Sequence, residues 1–177
     1  LDRITGIIVS HGGMIDKIVG DGVHCYFGAR GETPDEARTM AADCAIALDR
    51  AQAAISAEPA SRGYGRTRIA VHAGLARLGT YGSAGRLDFT AHGPVINATA
   101  RLVDAAGDIG LATCMSTAAL PRPDAHDGWV PVGRFMLRGI AEPIECVTHI
   151  ADAAMVQAWR AVHEAVTSET PDAADIV

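Results

Sequence analysis

Residues 12–28 read Gly-Gly-Met-Ile-Asp-Lys-Ile-Val-Gly-Asp-Gly-Val-His-Cys-Tyr-Phe-Gly, two short β-type runs closed on each other by a glycine-aspartate-glycine turn. Such a stretch has few ways to fold, because its apolar residues suit a pleated surface and its glycines permit the tight reversal of a hairpin. Asp21 is thereby expected at a loop tip, with neighbours small enough for an anionic ligand or a metal to approach the backbone. Taken alone, an aspartate in such a turn more often satisfies local N–H groups. Lys17 stands four residues earlier in a run that reads as a buried strand, and it is the only lysine among 15 lysines and arginines. A chain that uses arginine elsewhere has here a compact ammonium, which can donate to a single ring nitrogen without a planar fork. Asp16 reads as facing the hairpin.

The remaining elements follow from periodicity and stop signals. Leu1 to Ser10 carries apolar residues at helical spacing, and His11-Gly12-Gly13 ends it. Thr33-Pro34-Asp35-Glu36 has the form of a capping box with Thr33 as N-cap, opening an alanine-rich helix to about Ile55. A polar loop over 56–65 precedes a β-type run from Arg68 to Leu78. Gly79, Gly82 and Gly85 then suggest a bent hairpin returning through Leu87 to Ala91. Gly93-Pro94 opens a second helix from Val95 to about Ala106. Strands are expected at Leu111 to Met115, Trp129 to Leu137 and Ile144 to Ile150, then a closing helix over 151–166 and a frayed tail from Thr167. The order of elements predicts one α+β sandwich with a central, mainly antiparallel sheet flanked by helices. The domain is placed at residues 1–150, with a C-terminal helix and disordered tail at 151–177.

A second constellation occupies residues 86–101, Arg-Leu-Asp-Phe-Thr-Ala-His-Gly-Pro-Val-Ile-Asn-Ala-Thr-Ala-Arg. Asn97 and Arg101, four apart on the predicted helix, share one face and can address one ligand. The amide can orient a ribose or phosphate oxygen, and the guanidinium can neutralise charge that builds up in a phosphoryl transition state. An isolated Asn/Arg pair at that spacing is more often a solvated helix face. Arg138, beside Gly139, offers a further cation near a flexible turn. His72 and His92, at strand and loop positions, read as packing or hydrogen-bonding residues rather than general bases.

Bulk properties set the outer limits. A net charge of -6 leaves no basic field for nucleic acid. No apolar run approaches the roughly 20 residues that span a bilayer, and no signal-peptide pattern opens the chain. Cys25, Cys44, Cys114 and Cys146 are far apart without metal-ligand spacing, as expected of reduced thiols in a cytoplasmic protein. The absence of a GxxxxGK[ST] run argues against a P-loop kinase or ATPase.

Three segments in order, Lys17 to Asp21, Arg68 to Gly79 and Asp88 to Arg101, resemble the catalytic signatures of class III adenylate and guanylate cyclases. Leu137-Arg138-Gly139-Ile140 resembles that family's C-terminal phosphate-contact segment. The resemblance spans roughly residues 1–150. It implies a ferredoxin-like sandwich that converts ATP to 3′,5′-cyclic AMP and pyrophosphate by a two-metal intramolecular displacement, in cyclic-nucleotide signalling. It further implies that Asp21 binds metal, Lys17 and Thr90 contact adenine, Asn97 and Arg101 act on the transition state, and Arg138 holds the triphosphate. The cofactors implied are magnesium or manganese, two per site. The partners implied are ATP and a second copy in a head-to-tail homodimer, with Gly79 to Arg86 reaching across. Lys17 with Thr90 matches the ATP-selecting pattern, where guanylate cyclases present an acidic residue at the lysine position. Threonine at position 90 resembles a subclass that responds to bicarbonate. Similar proteins carry N-terminal sensors with transmembrane helices, so a parent tethered to the inner face of the plasma membrane is implied.

One departure stands out. The family's other metal aspartate lies on a strand before the first long helix, and residues 1–10 have no counterpart: Asp2 falls within the helix, and Asp16 does not take that role. The chain is therefore expected to be N-terminally incomplete, to lack the family's first strand, and to be impaired by itself. The alternative is a non-catalytic cyclase-like module that binds nucleotide or mediates dimerisation.

Overall fold

The computed structural model describes residues 1–56, 65, 67–121, 128–150, 157–161, 164 and 175–176. Helix α1 (Asp2–Ser10) ends as its sequence demands: Gly12 takes a φ of +81°, and the Gly13 N–H reaches back to the Ile8 carbonyl at 2.9 Å. Strands β1 (Met14–Val19) and β2 (Gly22–Tyr26) follow as an antiparallel ribbon closed by Gly20-Asp21. Gly20 at φ +62° supplies the positive dihedral that a two-residue hairpin loop needs. Helix α2 (Pro34–Ser56) starts on the expected capping box, in which the Thr33 N–H donates to Glu36 Oε2 at 2.8 Å and the Glu36 N–H to Thr33 Oγ1 at 3.3 Å.

The run from Arg68 to Leu78 is not one strand. It divides into β3 (Ile69–Val71) and β4 (Arg77–Ser83), because residues 72–76 leave the sheet before the chain turns into the β4–β5 hairpin. In that hairpin, β5 (Arg86–His92) pairs with β4 from Arg77–His92 to Ser83–Arg86. Gly82 is obligatory there, since at φ +144° any Cβ would collide with the Arg86 carbonyl. Helix α3 (Pro94–Asp108) begins with Pro94 in its first turn. It is followed by β6 (Thr113–Ser116), β7 (Trp129–Phe135), β8 (Ile144–His149) and the short β9 (Asp175–Ile176).

The main sheet runs β3-β6-β8-β7-β9, antiparallel at its centre and parallel at both edges. Neighbouring residues of a strand face opposite sides, and the core divides accordingly. Met115 and Val147 join Ala42 of α2, Leu120 and Trp129 in one cluster. Cys114 and Cys146 join Leu102 and Ala106 of α3, Phe135 and Leu137 in the other. The sheet is thus covered by α2 on one face and α3 on the other, the α+β sandwich the sequence predicts. The cysteines are free thiols; burial pushes Cys25 up to about 11 and Cys44 up to about 12, so neither ionises near neutrality.

Residues 157–161 are helical, and Trp159 Nε1 donates to the Pro131 carbonyl at 2.5 Å. Of the expected loop, closing helix and tail, residues 57–64, 151–156, 162–163, 165–174 and 177 lie outside the described residues. No helix among the described residues is long and apolar enough to cross a membrane.

Candidate active site

The two ribbons meet at the lone lysine. Lys17 Nζ on β1 donates to Thr90 Oγ1 on β5 at 3.2 Å, joining residues 73 positions apart. Thr90 is buried, whereas Lys17, Ile18 and Val19 are exposed, so the second half of β1 is not the buried strand its composition suggests. The reason is that β1 belongs to a two-stranded ribbon outside the main sheet.

Asp16 lies within the hairpin, in a setting that its residue type alone does not reveal. The β1–β2 register passes from Ile15–Cys25 to Lys17–His24, leaving Asp16 as an extra residue in a bulge. Its side chain is 7% exposed, and Oδ2 lies 3.1 Å from Lys17 Nζ, whose side chain is 47% exposed. Oδ1 is buried without a hydrogen-bond partner. Burial first, then the Asp16 charge, raise the nearby Tyr26 phenol above its ordinary value. A one-residue register shift has no signature in residue types, so only the lysine's isolation pointed to this place.

The strand carrying Thr90 runs through Gly93 into α3, which carries Asn97 exposed and Arg101 half-buried. Arg101 Nη1 donates to the Arg138 carbonyl, on the turn after β7. Gly139 has a φ of +70°, and a Cβ there would stand 3.0 Å from Arg101 Nη1. Arg101 and the 138–139 turn are thus brought together, while the Arg138 residue is exposed. A guanidinium has five N–H donors, so Arg101 keeps donors for a ligand after bonding the carbonyl. Gly139→Ala should therefore cost about 1 kcal/mol or more through the left-handed backbone alone. It should also displace Arg101; a fall in melting temperature together with reduced turnover checks both effects, and a variant matching the parent in both would refute the contact's importance.

Asp21 is exposed at the hairpin tip. Among the described residues no group of three or more His, Cys, Asp or Glu side chains gathers where it could hold a metal ion. Asp21 thus offers one carboxylate, not a complete ligand set. His72 and His92 have contacts of their own: His72 Nδ1 shares a 2.8 Å hydrogen bond with the buried Ser116 hydroxyl, and the His92 ring packs 4.0 Å from that of Tyr81. Burial lowers His72 below its ordinary value.

Against known structures, the chain aligns with the adenylyl cyclase CyaB from P. aeruginosa at a TM-score of 0.70 and 21% identity, covering 85% of this chain and 78% of that one. The chain shares the fold of that adenylyl cyclase. The guanylate cyclase domain of RhGC from Catenaria anguillulae, solved in complex with GTP, matches this chain at a TM-score of 0.63 and 16% identity, over 83% of this chain and 78% of that one. Among curated proteins, Adenylate cyclase 1 of Rhizobium meliloti (strain 1021) is 27% identical over 140 residues, which is 78% of this chain. The chain spans only 21% of that relative's length. No family model matches the sequence.

Proposed function

We propose that the chain is the catalytic part of an adenylate cyclase, converting ATP to 3′,5′-cyclic AMP and pyrophosphate in cyclic-nucleotide signalling. The observation that carries this reading is the Lys17–Thr90 hydrogen bond, which places the lone ammonium beside a buried hydroxyl on a neighbouring ribbon. An ammonium donates and a hydroxyl can accept, the pattern that suits adenine's ring nitrogen acceptor and its exocyclic amine. In the reaction the ribose 3′-oxygen loses its proton and bonds to the α-phosphorus. The bond to the bridging β-phosphate oxygen breaks, and pyrophosphate leaves with the electron pair. Asn97 is assigned to orient the ribose or a phosphate oxygen, Arg101 to neutralise charge gathering on the α-phosphate, and Arg138 to hold the triphosphate. Magnesium or manganese is the expected partner of Asp21 and would neutralise triphosphate charge.

The reading includes a head-to-tail homodimer, so that Asp21 of one copy and Lys17, Thr90, Asn97 and Arg101 of the other complete a site. Exposed apolar residues support it: Ile18 and Val19 on β1, with Leu78, Leu87 and Phe89 on the hairpin, form surface that a monomer would leave in water. A second reading, a non-catalytic module that binds nucleotide or dimerises, is favoured by the single carboxylate at the hairpin tip.

The test is cyclic AMP formation from ATP with magnesium or manganese, by this chain and by a version extended upstream. Activity in either supports the cyclase reading; silence in both, with nucleotide still bound, establishes the module. Mixing inactive Asp21→Asn and Arg101→Ala proteins should restore about a quarter of the activity, since half of randomly formed dimers are mixed and each contains one intact site. No restoration, with dimers formed, would exclude shared sites.

A further inference from the structure

We propose that Asp16 is a positioning residue for base recognition: its buried carboxylate holds the Lys17 ammonium against Thr90, leaving the third N–H of the ammonium for the base. The inference rests on the reading of Lys17 and Thr90 as the base-contacting pair. In a regular strand, consecutive side chains point to opposite faces, and Asp16 could not reach Lys17. The bulge between Ile15 and Lys17 removes that constraint by giving β1 one residue more than its partner strand. The result is a three-membered chain, Asp16 Oδ2 to Lys17 Nζ at 3.1 Å and Lys17 Nζ to Thr90 Oγ1 at 3.2 Å.

The burial runs in the right sense. The carboxylate is 7% exposed and the lysine side chain 47% exposed, so the anion is the fixed anchor and the ammonium the presented group. Thr90 is buried as well, so both tethers of the ammonium are held by packing. An otherwise flexible four-carbon stem is thereby ordered before ligand arrives, which lowers the entropy lost on binding. A carboxylate kept for folding alone would be expected to have both oxygens satisfied, yet Asp16 Oδ1 is buried and unpartnered. Burying a half-satisfied charge opposes folding. The compensation visible here is the contact with Lys17, which points to the lysine as the reason for the aspartate.

The experiment is equilibrium binding of ATP and of GTP to the chain and to Asp16→Asn, Lys17→Ala and the double variant, with thermal melting of each. Asp16→Asn should weaken ATP binding on the order of fivefold and leave GTP binding near its starting value, and it should add nothing once Lys17 is alanine, because contacting residues are non-additive. Asp16→Ser is carried in parallel and judged by the same outcomes, should asparagine fail to fold in the bulge. If Lys17→Ala lowers ATP affinity and neither Asp16 variant does, the positioning role is overturned while the base-reading pair stands. Equal loss for ATP and GTP, or an Asp16 effect undiminished in the Lys17→Ala background, marks a structural residue and also overturns it. If Lys17→Ala leaves the ratio of ATP to GTP affinity unchanged, the base-reading pair itself fails.

Discussion

Arg101→Ala should lower the rate of cyclic AMP formation by about 10²- to 10³-fold while leaving KM for ATP within a few-fold of its value, as for removal of a donor aimed at developing charge. Arg101 already gives one N–H to the Arg138 carbonyl and lies over Gly139, so its guanidinium is anchored at one edge. An anchored fork has less orientational freedom to lose when charge develops, which is where transition-state stabilisation is most effective. The same anchorage creates a rival explanation, because alanine also removes a bond that holds the 138–139 turn. Arg101→Lys separates them. A lysine keeps the charge without the planar fork, so it should recover part of the rate if charge neutralisation is the role. If lysine is as slow as alanine and both melt early, the arginine acts through the turn; if the loss lies wholly in KM, it acts in ground-state binding.

What could be read in advance follows from the range over which each feature is determined. The Thr33–Glu36 capping box, the glycine stop after α1 and the Gly20-Asp21 reversal depend on residues within five positions of each other, and each is found where the residue types place it. The two-faced core follows strand alternation in the structure, which separates Cys114 from Met115 and Cys146 from Val147. The division of 68–78 into β3 and β4 was not legible. Arg-Ile-Ala-Val-His-Ala-Gly-Leu-Ala-Arg-Leu has strand-like character beyond Val71, but β3 finds its parallel partner in β6 for only three residues. Which partner a strand finds is a tertiary fact. Of the candidate site, residue identities were available from the family resemblance, and the structure brings Lys17 to Thr90 and Arg101 to the turn at 138. The burial of Asp16 was hidden because a bulge reverses the face on which a side chain emerges while changing no residue type.

Lys17→Glu should reduce ATP use by about 10²-fold, with a much smaller gain for GTP. The first part follows from donor and acceptor bookkeeping. Adenine presents a ring acceptor where guanine presents a donor, so a glutamate would face adenine with acceptor against acceptor and leave polar groups unpaired, the circumstance in which discrimination is largest. The second part comes from Asp16. Its Oδ2 carboxylate oxygen, 3.1 Å from the ammonium in the parent chain, would stand beside a second carboxylate, while Oδ1 remains without a partner. Two carboxylates this close, one of them buried, cannot both stay ionised without cost, so the glutamate would be driven away from Thr90 or would take up a proton and cease to be a plain acceptor. Pairing Lys17→Glu with Asp16→Ala removes the repulsion and should recover GTP use severalfold over the single variant at neutral pH. Turnover of ATP and GTP by both variants decides the matter. ATP use untouched by Lys17→Glu would remove the lysine from base recognition. GTP use rising fully in the single variant would show that Asp16 does not constrain its neighbour, and base choice would then rest on position 17 alone.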